Sequence, residues 1–306
     1  MSAAALSYAA RVSGTLVLIA VLTTACGPRP GGAGAPSVAA RAPATEVGEA
    51  RALPPRWVAG SIRSPHLQLG TPVDADDSDD LLLDHGQYVS SYNPIRHVPN
   101  WVAWRLSGDD FGQADRRDDF RPDPDLPLGV FRATPRDYLR SGYDRGHLCP
   151  SADRTRSAEA NATTFLMTNI QPQVHELNAG PWERLEVYAR TLARSHDLAL
   201  YIVAGGLFGA QPRLIGHELA VPDFSYKIVC AVLRGQTLTE LSMNTKVLAV
   251  KMPNQHSIAG HAWTEYLVSV DELERESGYD FMPGIPEPLQ ELLESQVAAA
   301  NSLPVN

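Results

Sequence analysis

Tyr143-Asp144-Arg145-Gly146-His147-Leu148-Cys149-Pro150, with Thr168-Asn169-Ile170-Gln171-Pro172-Gln173 and Asn178-Ala179-Gly180-Pro181-Trp182-Glu183-Arg184-Leu185-Glu186 behind it, decides how this chain reads. Tyr143 to Cys149 and Thr164 to Ile170 are short segments compatible with strands. From Asn178 to Ser195, Trp182, Leu185, Val187, Tyr188, Leu192 and Ala193 recur at helical spacing. That predicts an amphipathic helix with Asn178 as its cap and Pro181 in its first turn. The order is strand, strand, helix, and it gathers a histidine, two asparagines, an arginine and a carboxylate.

Each of these side chains has a plain structural use and a chemical one. A histidine in a strand is ordinarily a core residue. His147 differs because it follows Arg145 and Gly146, whose missing Cβ lets another backbone or a substrate come close. With an ordinary pKa of about 6.5, its neutral imidazole can take a proton from water attacking phosphorus. Asn178 can simply cap a helix, yet its amide oxygen also suits Mg²⁺, which keeps several waters and takes few protein ligands. Glu186 would lie about 12 Å further along a straight helix at ~1.5 Å per residue. It would therefore reach such an ion through bound water, or remain a solvated carboxylate. Arg117, beside Arg116 and near Arg121, stands in an Asp-rich stretch. Such runs ordinarily pair at the surface, whereas one guanidinium turned inward would grip a phosphate and meet charge growing in the transition state. A base for water, an oxygen for a hard cation and an arginine for phosphate are the parts of a metal-dependent phosphodiesterase.

Working outward, Ser90-Ser91-Tyr92-Asn93-Pro94 reads as a polar turn after His85 to Val89. Asn100-Trp101-Val102-Ala103-Trp104-Arg105-Leu106 alternates bulky and small residues, as a strand with one buried face does. Gly108 to Leu126, dense in Asp, Arg, Gly and Pro, reads as a surface loop. Further strands are expected at Leu198 to Val203, Phe224 to Leu233 and Lys246 to Met252, with a tight turn at Gly205-Gly206-Leu207-Phe208-Gly209. Short helices are expected at Val270 to Glu276 and Glu287 to Ala298. Successive strands with few helices between them predict an α+β fold on an antiparallel sheet.

Residues 1–26 fall outside that domain. A short apolar run, Leu16 to Leu22, follows Arg11 and precedes small residues, the pattern of a secretory signal too short to span a bilayer. Leu22-Thr23-Thr24-Ala25-Cys26-Gly27 resembles a lipoprotein cleavage site, which would put a lipid anchor on Cys26; ordinary cleavage and release is the alternative. Residues 27–55, rich in Gly, Pro and Ala without an apolar period, read as a disordered linker. Residues 56–297 can form one domain and 298–306 a tail. The expected location is exported: periplasmic, membrane-anchored or extracellular. In an exported protein Cys149 and Cys230 can oxidise together, or Cys230, in an apolar run, stays a buried free thiol, the favoured reading; no CxxC spacing supports a cysteine zinc site.

The formal charge is −9, yet nine arginines and seven aspartates between Arg116 and Arg156 give that stretch +2. A cationic patch on an acidic body suits an enzyme that releases a polyanionic product better than a protein that holds nucleic acid tightly. His175-Glu176 and His217-Glu218 begin like a zinc-protease HExxH, but Ala179 and Val221 stand where the second histidine is needed. No GxSxG elbow and no Walker loop occur.

Asp144-Arg145-Gly146-His147, with Asn169 to Gln173 and Leu177 to Glu186, resembles the DNA/RNA non-specific endonucleases of the ββα-metal (His-Me finger) group, which includes the Serratia nuclease and endonuclease G. The likeness runs from about Pro65 to Pro283, through Tyr92-Asn93-Pro94, Pro99 to Trp104, Asp115-Arg116-Arg117, Tyr226-Lys227 and Met252-Pro253-Asn254. It implies an antiparallel core carrying a ββα finger. It also implies His147 as general base and Asn178 as the one direct ligand of Mg²⁺, with Mn²⁺ an alternative. Asn169 and Glu186 would order the metal's waters and the histidine's surroundings. Arg145 and Arg117, or Arg116 in its place, would contact phosphate. The implied reaction is in-line attack by water on DNA and RNA, leaving 5′-phosphates, with contacts to sugar and phosphate rather than bases. Cys149-Pro150 and Pro181 depart from the family pattern without removing a catalytic atom. Two rival readings are a nuclease restricted to one nucleic acid and a non-catalytic surface lipoprotein that kept the fold. The joint presence of His147, Asn178 and Glu186 counts against the second. A role as a toxin would call for a cognate inhibitor.

Overall fold

The computed structural model describes residues 63–195 and 197–299. The expected signal (1–26), the lipid-bearing Cys26, the linker (27–55) and all of the tail but residues 298–299 lie outside the described residues. In chain order the strands and helices are β1 (Leu81–Asp84), β2 (Val89–Asn93), β3 (Val98–Ser107), β4 (Asp144–His147), α1 (Ala158–Thr163), β5 (Ile170–Gln173), α2 (His175–Leu177), α3 (Glu183–Ser195), β6 (Leu198–Leu207), β7 (Leu214–Ile215), β8 (Leu219–Ala220), β9 (Phe224–Leu233), β10 (Lys246–Pro253), β11 (Leu267–Val268), α4 (Val270–Ser277) and α5 (Glu287–Glu294). Seven strands make one sheet, ordered β1-β2-β3-β6-β9-β10-β11, with every neighbour antiparallel. No helix among the described residues is long and apolar enough to cross a membrane.

The sheet is covered on both faces, so its central strands are apolar almost throughout. On one face Val102, Trp104, Leu200, Ile202, Val229, Leu248 and Val250 pack with Leu148, Leu177, Trp182, Leu185 and Leu192. On the other, Trp101, Ala103, Tyr201, Ile228 and Cys230 pack under Leu273, Phe281, Met282 and Leu293. The period-two pattern thus sorts side chains between two apolar layers. Cys149 and Cys230 are both buried free thiols.

Several expected boundaries move. Ser90 to Asn93 is a buried strand, not a turn. Its polar side chains find partners inside: Asn93 Nδ2 donates to Asp79 at 2.7 Å and to Asn100 Oδ1 at 2.9 Å, and Ser91 to Asp80. Gly205 to Leu207 continue β6. A Cβ at Gly205 would collide with the Asn100 carbonyl and the Tyr226 ring, so the glycine permits close strand packing. The second finger strand is Ile170–Gln173, because Thr164 to Asn169 are spent on a helix end and a short 3₁₀ turn. The helix expected from Asn178 starts at Glu183: Gly180 (φ −112°, ψ −122°) and Pro181 interrupt it with a wide turn over Asn178–Trp182. Val187, expected on the apolar stripe, is exposed. The last helix stops at Glu294.

Candidate active site

β4 and β5 pair antiparallel, with His147 opposite Ile170 and Gly146 opposite Gln171. Together with α3 they form the ββα unit. What approaches Gly146 is the Gln173 side chain, where a Cβ would clash; neither a backbone nor a substrate takes that space. Buried amides then lock the unit in place. Gln171 and Gln173 both donate to Ser225 Oγ on β9, at 2.9 and 3.2 Å. Asn254 accepts from the Val174 N–H at 2.8 Å and donates to the Pro172 and Pro222 carbonyls, each at 3.0 Å. Trp182 Nε1 donates to the His147 carbonyl at 3.2 Å, so the start of α3 is tied to the end of β4.

His147 is buried, lies against Phe165 (4.9 Å, edge-on) and Phe120 (5.2 Å), and its Nε2 has no hydrogen-bond partner among the described residues. Burial, then the nearby Arg116 and Arg145 guanidinium groups, lowers its pKa to about 3. The imidazole is therefore neutral, with a lone pair to offer.

A cavity of about 280 Å³ brings His147 together with Arg116, Arg145, Asn178, Glu186 and Arg190. Arg145 is exposed, its guanidinium 4.2 Å from the Phe120 ring centre. Asn178 lies in right-handed helical conformation (φ −58°, ψ −52°) one turn ahead of α3, so it is not the helix cap. Its Nδ2 donates to Asp144 at 3.0 Å, which holds the amide on the wall of the cavity. Across the wide turn, Asn178 and Glu186 line one cavity.

Two expected residues stand elsewhere. Arg117 does not line the cavity: its backbone N–H is tied to Asn161 Oδ1 at 3.0 Å, and the guanidinium that reaches the site belongs to Arg116. Arg116 is steadied by Ser151 Oγ at 3.3 Å, Asp118 at 3.4 Å and the Phe165 ring at 5.0 Å. Asn169 spends its whole amide on backbone. Its Oδ1 accepts from the Cys149 N–H at 2.9 Å, and its Nδ2 donates to the Cys149 and Thr164 carbonyls, each at 2.8 Å. It orders the chain after His147 and has no amide hydrogen left for a water.

The residue that sequence reasoning left without a role is Lys227. It is fully buried, its ammonium 3.3 Å from Glu186 Oε1 and 4.0 Å from the Trp182 ring centre. Arg190 lies 3.8 Å from Glu186 and 3.1 Å from Asp153, which also accepts from Trp104 Nε1. Burial raises Glu186 to about 6 against the opposing pull of Lys227, while Asp153 adds to the rise and Arg190 opposes it. Lys227 is lowered by burial and supported by Glu186 and Asp153. A lone lysine inside Phe224 to Leu233 was a readable signal of a buried pair; nothing in spacing marks Asp153. Elsewhere, His85 with Asp123 and Asp125, Asp74 with Asp77 and Asp80, and Asp271 with Glu274 and Glu294 bring possible ligand atoms within 4.8 Å of one another. None of them lines this cavity.

Comparison with known proteins matches the DNA/RNA non-specific endonuclease family over residues 64–287. A nuclease of Nostoc sp. is 43% identical over 250 residues, covering 80% of this chain and 90% of that protein. The mitochondrial nuclease EXOG of Danio rerio is 38% identical, over 65% of this chain and 60% of its own length. Human mitochondrial endonuclease G is 33% identical, over 67% and 70%. The crystal structure of an EndoG/EndoGI complex, which concerns EndoG inhibition, superposes with a TM-score of 0.62 at 25% identity, covering 72% of this chain and 91% of that one.

Proposed function

The chain belongs to the DNA/RNA non-specific endonucleases, a family of metal-dependent nucleases, and on that premise we propose that it hydrolyses both DNA and RNA with His147 as the base. The observation that supports this most is the His147 Nε2, a buried nitrogen without a partner among the described residues, on a residue that lines the same cavity as Arg116 and Arg145. A neutral imidazole there accepts the proton of the attacking water. Arg116 and Arg145 neutralise the phosphate and meet the charge that grows on it. Asn169 acts as a positioning residue through the Cys149 backbone.

The donor set fits a hydrated divalent ion. The Asn178 nitrogen is committed to Asp144 while its oxygen is not, and Glu186 adds an anion to the same cavity. Asn178 would hold Mg²⁺ or Mn²⁺ directly, and Glu186 through its water. Bound there, the ion would stabilise negative charge on the phosphate and the departing 3′ oxygen, giving 5′-phosphate products. The cavity is walled by charged groups rather than a set of base-reading amides, which favours action on both polymers. The mature protein would act outside the cytoplasm, released or tethered through Cys26, while the EXOG and endonuclease G relatives are named as mitochondrial. A cognate inhibitor, such as EndoG has in its complex, would cover this cavity.

Plasmid nicking with Mg²⁺, repeated with EDTA and with His147→Ala, tests the reading. The wild type should cut matched single- and double-stranded DNA and RNA. His147→Ala should lose about 10²- to 10⁴-fold in rate. A variant that cuts at the wild-type rate would remove His147 as the base, and absolute selectivity for one polymer would refute the non-specific reading.

A further inference from the structure

The groove continues beyond the catalytic cavity. Arg116, Arg145 and Asn178 also line a second cavity of about 280 Å³, walled by Phe120, Pro135, Tyr138, Leu139 and Tyr143. The three shared residues are those assigned to the phosphate and its cation, so the two hollows adjoin one phosphate seat. The chain orders them: Tyr143 and Asp144 line the second cavity, Arg145 lines both, and His147 lines the first.

The two hollows differ in chemistry. The first holds the base and the Glu186 network. The second holds no histidine, and its two carboxylates are occupied: Asp118 by Arg116, and Asp144 by Asn178 and His175. Its rim carries Leu139, 72% exposed, just before Arg140 (φ 57°) and Gly142 (φ 85°), which turn the chain back toward Tyr143. One exposed leucine is ordinary by itself; this one borders a hollow that adjoins a phosphate seat.

In-line displacement gives the hollow a purpose. The attacking and leaving oxygens lie on opposite sides of phosphorus. Water handled by His147 enters from the first cavity, so the leaving 3′ oxygen points toward the second. We propose that the second cavity is a nucleoside subsite that takes the sugar and base attached through the departing 3′ oxygen, with Leu139 and Tyr143 against the base. This rests on the nuclease reading above. Its size suits one nucleoside, being at the lower bound of small-molecule pockets at about 300 Å³. Contact with the face of a base, rather than its edge, tolerates all four bases.

Calorimetry of the full chain with Mg²⁺ tests this without cutting a bond. The probes are thymidine 3′-monophosphate, thymidine 5′-monophosphate and inorganic phosphate. The 3′-monophosphate should bind about tenfold tighter than inorganic phosphate, and tighter than the 5′ isomer. Leu139→Asp should erase that advantage, and the exposed Leu139 makes the change compatible with folding. Leu128→Asp, at an exposed leucine outside both cavities, should keep it. Equal binding of the three ligands, tightest binding of the 5′ isomer, or an advantage that survives Leu139→Asp would overturn the subsite. A 3′ preference without plasmid cleavage would instead count against the nuclease reading alone.

Discussion

The seven-stranded sheet and the ββα unit on it share an apolar layer but differ in what fixes them there. Around Leu200, Ile202 and Val229 the sheet is held by apolar area, which is non-directional and repacks when a side chain is trimmed. The ββα unit shares that apolar layer through Leu148, Trp182, Leu185 and Leu192, and is fixed on it by Asn169, Gln171, Gln173 and Asn254, fully or almost fully buried amides that bond named backbone or hydroxyl groups. Directional bonds fix position, and position is what the base role proposed for His147 requires. The sheet supplies stability; the amides supply aim.

Trimming one residue of each kind puts that contrast at risk. Asn169→Ala leaves the Cys149 N–H and two carbonyls buried without partners, at a cost of about 3–5 kcal/mol. Leu200→Ala should cost about 2–5 kcal/mol through a cavity in the sheet. Urea unfolding should therefore find the two similarly weakened. Activity separates them: assayed where both are folded, Leu200→Ala should keep its kcat and Asn169→Ala should lose most of it. Asn169→Asp keeps the acceptor for Cys149 but sets a carboxylate oxygen against two carbonyls, so it should lose at least as much as Asn169→Ala. Equal kcat in both variants would mean that the amides hold the fold and nothing more.

The next effect comes from acid. The folded pKa of His147, about 3, lies below the ordinary 6.5 because of burial first and the two arginines second. Below pH 6.5 the unfolded chain binds a proton that the folded one refuses. Stability from this group is thus complete above pH 6.5 and lost as the pH falls towards 3, by about 1.4 kcal/mol per pH unit. His147→Asn removes the titration and leaves the other groups in place. In EDTA, the wild type should lose about 3 kcal/mol more than His147→Asn between pH 6 and pH 4. Parallel curves would show that the imidazole is not kept neutral by the fold.

Sequence made the sheet strands, the strand-strand-helix order and the identity of most cavity residues legible, because alternation and a dense motif report on local geometry. The failures have a common cause. Ser90 to Asn93 reads as a turn because polar residues ordinarily face water, yet their partners, Asp79, Asp80 and Asn100, lie on other segments. Asn178 reads as a cap because Gly180-Pro181 fits a regular first turn, whereas the two residues interrupt the helix. Asn169 looked available for water because its three backbone partners are set by tertiary contact. A lone lysine in an apolar strand marks Lys227, but only the packing of α3 across the sheet names Glu186 as its partner.

The smallest expected effect falls on the loop that joins the two regions, where two adjacent arginines compete for one task. Arg116 lines the cavity and is already steadied by Ser151, Asp118 and Phe165, whereas Arg117 stays exposed outside it. Removing a charged hydrogen-bond donor from a phosphate costs about 1.5–3 kcal/mol, so Arg116→Ala should lower kcat/KM about 10- to 100-fold, and Arg117→Ala less than about twofold. Arg116 also helps keep His147 unprotonated. Its loss should raise the His147 pKa and move the acid limb of the kcat/KM–pH profile upward, whereas loss of a surface cation would leave the limb in place. A large effect at Arg117 with a silent Arg116 would reverse the orientation of the loop, and with it the assignment of the phosphate seat that both cavities share.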